Sequence, residues 1–242
     1  MAALPLPRKP QRGGSRRPTA DRPGMLHPHA ASDHRKRYNA VAGRSIERLA
    51  ALSDGVFAVA MTLLLLDLHA PAKELVQSEA DLWHALVALA PRLLVYVMSF
   101  MTLSIFWVGQ QTQHNHMARS DRNLTWLHLA FLFSVTLMPF STMLMAEFIL
   151  FRLAVVVYWL NIVLLGGLLW ISWRYARHAE LVSGEADTEI ACNIERRIII
   201  AQSLYAFGAL LCVFDTYVSL GFIALVQLNY VIAPRIGLLS RI

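Results

Sequence analysis

Residues 48–68 read RLAALSDGVFAVAMTLLLLDL. Between Leu49 and Leu66 the apolar run is broken only by Ser53, Asp54 and Thr62, with Gly55 beside the acid. About eighteen such residues, rising about 1.5 Å each, just reach across a hydrocarbon core. An ionised Asp inside that span costs roughly 2.5–3.5 kcal/mol on insertion scales. Asp54 therefore needs a partner and is the first candidate for a functional role, with a polar clamp between helices as the plain alternative. At about 100° per residue, Val59, Thr62 or Leu63, and Leu66 form one continuous stripe, with Leu52 and Gly55 below it. Arg48 and Asp54 fall on different sides of the helix, about 9 Å apart along its axis, so each must find its partner on another helix or another subunit. The segment reads as a first helix buried in a bundle and carrying one apolar stripe.

The rest of the chain follows suit. Of its 242 residues, 56% are hydrophobic and 16% charged, which marks an all-α, polytopic membrane protein and excludes an ordinary soluble domain. The net charge of +6 does not point to nucleic acid, because half of the Lys and Arg precede residue 49. Cys192 and Cys212 have neither metal nor disulfide spacing.

Residues 1–43 are rich in Arg, Pro, Gly, Ala and His and contain no long apolar run. They read as a disordered basic cytoplasmic tail, a dispensable extension; a transit peptide or a contact with anionic lipid are the alternatives. Residues 44–235 form the membrane domain and 236–242 a short cytoplasmic tail. After the first span, Ala70-Pro71 and an acidic loop lead to a second from about Trp83 to Val108, with Arg92 near enough to the outer interface to snorkel. A polar stretch from Gln110 to Asn123 follows. The third span covers Leu124 to Met145 and should be kinked or ended by Pro139. The fourth runs from Phe148 to Trp173, the fifth from Ile198 to Phe214 and the sixth from Thr216 to Ile232.

With six spans, Arg119, Arg122, Arg174, Arg177, Arg196, Arg197, Arg235 and Arg241 fall on one side, against only Lys73 and Arg152 on the other. Both termini are therefore expected in the cytoplasm of a cell membrane protein.

Sites of chemistry are scarce. His114-Asn115-His116 offers two imidazoles, but residues two apart on a helix diverge, and no matching carboxylate or His set recurs. A solvated helix end is the better account, and no metal is expected. Ser53, Ser99, Ser104, Ser134 and Ser141 lie in no nucleophile-elbow context. No Gly-rich phosphate loop is present. Neither an enzyme nor a cofactor is expected. Trp107, Trp126, Trp159, Trp170 and Trp173 read as an interfacial belt, and Tyr96, Ser99 and Ser104 as packing positions.

One resemblance gives these features a function. Arg48-x-x-x-Leu52-Ser53-Asp54-Gly55-Val56-Phe57-Ala58, followed by Thr62-Leu63-Leu64, resembles the Arg-x-x-x-Phe-Ser-Asp signature of the transmembrane-protein-175 family of lysosomal and prokaryotic potassium channels. Ser99-Phe100 to Phe106-Trp107, Leu137 to Thr142 and Ser203 to Ala206 resemble its second-, third- and fifth-helix patterns, so the likeness covers about residues 44–235. It implies a homotetramer of six-helix subunits whose first helices line a central pore that passes potassium ions. The pore constriction would fall on Val59, Thr62, Leu63 and Leu66, the stripe already read from periodicity. Arg48, Ser53 and Asp54 would join an interhelical polar network, with Trp107 at the end of the second span and Gln110 and Gln111 just after it as further members. Leu52 replaces the family's Phe. Gln110-Gln111 replace a His-containing pair, and Val59 is smaller than the usual Ile or Leu, which would widen the constriction. The expectation is a potassium-preferring channel with a hydrophobic gate. A proton- or cation-coupled transporter using Asp54 and a non-conducting membrane scaffold are its rivals.

Overall fold

The structure of the protein, a computed structural model, describes residues 46–66, 68–183 and 188–232. The tails expected at 1–43 and 236–242, and both ends of the 44–235 domain, lie outside the described residues. The described chain folds into α1 (Ile46–Leu66), α2 (Glu79–Ala88), α3 (Ala90–Asn115), α4 (Arg122–Thr136), α5 (Met138–Glu147), α6 (Arg152–His178), α7 (Thr188–Leu210) and α8 (Thr216–Ile232). Single 3-10 turns lie at Lys73–Leu75 and Leu211–Val213.

Five stretches are long and apolar enough to cross a membrane: Ile46–Leu66, Ala90–Asn115, Arg122–Glu147, Arg152–His178 and Cys192–Val213. The expected sixth span, α8, is apolar but has 17 residues. At about 1.5 Å per residue it is about 25 Å long, a little short of the hydrocarbon core.

Local chemistry sets the boundaries. Ser78 caps α2, its hydroxyl accepting from the Asp81 N–H, and Asp121 caps α4 by accepting from the Leu124 N–H at 2.8 Å. Pro91 and Pro139 sit in the first turns of α3 and α5, where a missing N–H leaves no bond unmade. Pro139 thus divides the third span into two helices joined at Leu137. The second span differs from its expected bounds: Glu79–Ala88 is a separate helix, and the crossing helix begins at Ala90 and continues to Asn115. Its last turns carry Gln110, Gln113 and His114, which look like loop residues in sequence but are buried against neighbouring helices.

The helices form one bundle with α6 at its heart. Tyr158, Ile162, Leu165, Leu169 and Trp173 make its buried stripe, and it packs on α4, α5 and α7. α1 lies against α3, α4 and α5, whereas α7 and α8 pack on each other, α7 also on α6 and α8 on α3. Small residues allow the close crossings. A Cβ at Gly166 would come within 1.7 Å of Gln202 Nε2, and one at Gly208 within 2.7 Å of the Ile223 side chain.

Buried hydroxyls and amides tie the layers together where lipid offers no alternative partner. The Tyr158 hydroxyl lies 3.3 Å from Ser99 Oγ and 3.2 Å from Thr102 Oγ1. Gln227 Nε2 donates to Thr102 Oγ1 at 2.7 Å, and Thr142 Oγ1 to Ser99 Oγ at 2.8 Å. Four helices (α3, α5, α6 and α8) therefore share one polar seam.

The ends are fastened as well. Arg92 pairs with Glu147 at 2.7 Å, joining the start of α3 to the end of α5. At the opposite end the Tyr175 hydroxyl donates to Asp121 Oδ2 at 2.6 Å, and Met117 bridges to Val182. Trp173, expected in an interfacial belt, is instead fully buried.

Candidate ion pathway on the first helix

Two neighbouring polar residues of α1 point about 100° apart and enter different surroundings. Ser53 faces inward and is fully buried. Its hydroxyl lies 2.8 Å from the Leu49 carbonyl and 2.7 Å from His128 Nε2 on α4. The carbonyl only accepts, so the single hydroxyl proton goes to Leu49, and His128 Nε2–H must donate to Ser53. That leaves His128 Nδ1 as an acceptor, and Gln110 Nε2 of α3 lies 3.3 Å from it. These contacts match the Nε2–H tautomer of the imidazole. The His114 ring lies beside it, with centroids 4.9 Å apart.

Asp54 takes the other direction. Its Oδ1 accepts from the Trp107 indole N–H and from Gln111 Nε2, each at 2.8 Å. Both donors belong to α3, one turn apart, so a single helix face receives the carboxylate. Among the described residues no ion pair joins Arg48 to Asp54; Arg48 is exposed on the first turn of α1.

The six residues expected in one polar network are therefore divided by the structure. Asp54, Trp107 and Gln111 meet at one point; Ser53 and Gln110 meet at another, around His128; Arg48 stands apart. Sequence reasoning missed His128. Its signal was present, a lone imidazole in the apolar span 124–136, but its partners Ser53 and Gln110 are 75 and 18 positions away. The expectation of a solvated helix end at His114 and His116 also needs correction. His114 is buried against His128, and His116 is partly buried, its ring edge-on to Trp173 at 6.4 Å. Among the described residues no group of three or more His, Cys, Asp or Glu is placed to hold a metal ion.

The inward stripe of α1 is Ser53, Phe57, Ala60 and Leu64, all buried. The residues assigned to the constriction lie on the opposite side. Val59 is 58%, Leu63 42% and Leu66 68% exposed, and Thr62 is exposed with its hydroxyl turned back to the Val59 carbonyl at 2.8 Å. The first helix is thus buried along one face only, and not all round. In a single chain the stripe Leu52, Gly55, Val59, Thr62, Leu63, Leu66 is open along the whole length of a bilayer-spanning helix. Such a face can meet lipid, another copy, or an aqueous path. Asp54 at its margin makes lipid contact all along it costly.

Comparison with known proteins finds relatives among ion channels. The family model described as the endosomal/lysosomal potassium channel TMEM175 matches residues 48–139, from the start of α1 to the α4–α5 junction. A potassium channel of Chamaesiphon minutus is 30% identical over 181 residues, covering 72% of this chain and 87% of that relative. One of Streptomyces collinus is 41% identical over 102 residues, 42% of this chain and 48% of the relative's length. Among solved structures, the crystal structure of a lysosomal potassium-selective channel TMEM175 homolog from Chamaesiphon minutus matches with a TM-score of 0.69 at 25% identity. That match covers 79% of this chain and 98% of the other.

Proposed function

The chain belongs to the TMEM175 family of ion channels, and on that premise we propose that it is a potassium-preferring cation channel whose ion path runs along the open face of α1. The two-sidedness of that helix carries the reading. One face is packed against α3, α4 and α5, and the other leaves Val59, Thr62, Leu63 and Leu66 uncovered. Four copies arranged as a homotetramer would gather these faces around a common axis, turning an exposed apolar stripe into stacked apolar rings. The potassium-channel names of the Chamaesiphon and Streptomyces relatives support the choice of ion.

A ring of Val, Leu and Thr side chains holds no fixed charge and no row of carbonyls to replace a hydration shell. Discrimination would arise from pore width and the cost of stripping water, and closure from dewetting between the Leu63 and Leu66 rings. Asp54, held through Trp107 and Gln111, sets the rotation of α1 and so the aim of the stripe. Arg48 is left for contact with a neighbouring subunit. The Arg-rich loops support a cell membrane protein with both termini in the cytoplasm.

The rival readings have less support. A coupled transporter using Asp54 would need that carboxylate to exchange its partners, yet Oδ1 already accepts two hydrogen bonds from one rigid helix. The relatives named above are channels, which speaks against a silent scaffold. The same names speak against catalysis, and we read the chain as needing no cofactor.

The test is ion flux in liposomes containing only this protein, with a potassium gradient set against sodium. Potassium flux that falls when sodium replaces potassium, and that changes in Leu63→Ser and Leu66→Ser, supports the reading. Absence of flux from verified tetramers, or flux indifferent to both substitutions, overturns it.

A further inference from the structure

Away from α1, helices α3, α7 and α8 enclose a side cavity of about 450 Å³, open on one flank. That volume falls within the range of sites that hold organic ligands, roughly 300–1,000 Å³. Its position along the bundle follows from the chain. Thr112 and Gln113 near the end of α3, Arg197 in the first half of α7, and Tyr230 near the end of α8 form one end. Ser104 and Tyr205 form the other, about two turns deeper by helical rise. The body of the cavity between them is walled mostly by apolar side chains such as Phe106, Ile198 and Ala201. One end therefore lies near the membrane surface and the other within the hydrocarbon region.

The charge sits at the surface end. Arg197 is exposed and takes part in neither of the ion pairs formed among the described residues, which are Arg92–Glu147 and Arg177–Glu195. A guanidinium at that depth presents a planar fork of donors suited to a phosphate, and the Tyr230 side chain lies beside it in the same wall. Cation at the interface, apolar slot below, and an opening toward the flank together describe the two halves of one amphiphile.

We infer that this cavity is a binding site for an anionic phospholipid of the surrounding bilayer, with its phosphate on Arg197 and the upper part of an acyl chain between α3 and α7. The occupant is a lipid and not a soluble anion because the apolar walls extend about two helical turns below Arg197, the only cation among the described residues of the lining. It is anionic because a zwitterionic lipid brings its own cation to the phosphate, so it gains less from a guanidinium that has no ion-pair partner among the described residues. The site goes beyond the channel reading and does not depend on where ions pass. It touches that reading at one place: α3 forms a wall of the cavity through Ser104, Val108 and Thr112, and holds Asp54 through Trp107 and Gln111. A lipid seated there braces the helix that positions the first one.

The test uses the full chain, purified in neutral detergent and stripped of lipid, then titrated with dioleoylphosphatidylglycerol or dioleoylphosphatidylcholine and weighed by native mass spectrometry. Arg197→Gln removes the charge. Val108→Trp, at a position that is half exposed and outside the core, fills the slot. The expected result is one tightly held phosphatidylglycerol per protomer of wild type and much weaker retention of phosphatidylcholine. Arg197→Gln should bind phosphatidylglycerol about five-fold more weakly, the equivalent of about 1 kcal/mol for one basic group at an anionic surface. Val108→Trp should lose it altogether. Equal binding by all three proteins, or no preference between the two lipids, overturns the inference. So does a wild-type oligomer that retains no lipid because a second copy of the chain closes the cavity, an outcome that a cross-link between residue 198 of one protomer and its neighbour would identify.

Discussion

The two faces of the first helix have almost the same hydropathy and opposite fates. Phe57, Ala60 and Leu64 vanish into the bundle, whereas Val59, Leu63 and Leu66, one or two positions away, remain open. Hydrophobicity alone does not tell them apart, since in a membrane both kinds of face are comfortable in lipid. What distinguishes the faces is the pair of polar residues in the first half of the helix. Ser53 meets His128 and Asp54 meets Trp107 and Gln111, and in the reading proposed above these two attachments set the rotation of α1. In this helix apolar packing supplies adhesion, and the polar pair supplies aim.

Substitutions can separate those roles. The largest stability loss is expected on the packed face. Phe57→Ala removes a buried ring 6.1 Å from that of Phe131 and should cost about 3–5 kcal/mol, read as a lower unfolding midpoint in detergent. Asp54→Ala should come next. It leaves the Trp107 and Gln111 donors without their acceptor and should lower the yield of assembled oligomer on size exclusion. A fully assembled, normally conducting Asp54→Ala protein would show that the carboxylate does not aim the helix.

His128→Leu is expected to be milder, about 0.6–1.7 kcal/mol, in the range measured for hydrogen bonds between membrane helices. It should be matched by Ser53→Ala, and the double substitution should cost no more than either alone if the two residues form one unit. On the open face, Leu66→Ser should leave protomer stability within about 0.5 kcal/mol, as for an exposed side chain, while changing ion flux several-fold. A large stability loss from Leu66→Ser would erase the distinction between the two faces.

Much of this architecture could be read from the sequence, and the failures have a common cause. Apolar runs located the crossing helices, and Pro139 marked the division of the third. The apolar run of the second span ends at Val108, and Gln110, Gln113 and His114 beyond it resemble loop residues. They remain helical because the bundle gives them partners: Gln110 meets His128, and Gln113 donates to the Leu169 carbonyl at 3.2 Å. Trp107 and Trp173 looked like interfacial anchors for the same reason. An indole that serves Asp54 and one buried in the core have the same local sequence signature as a belt residue. The apolar stripe on α1 followed from periodicity, but the side of the helix left open did not, because it depends on where α3 and α4 place their polar groups. His128 could not be connected to Ser53 without the fold.

The most direct test of the ion path is thiol accessibility along α1 in a conducting preparation. Single cysteines are placed at Val59, Thr62, Leu63 and Leu66 and, as the contrast, at Ala60 and Leu64, in a background with Cys192 and Cys212 changed to Ser. A water-soluble, charged thiol reagent should reduce potassium current at the first four positions and spare the last two. Modification that blocks current at Ala60 or Leu64, or that reaches none of the four, would contradict the claim that the open face of the first helix lines the pore.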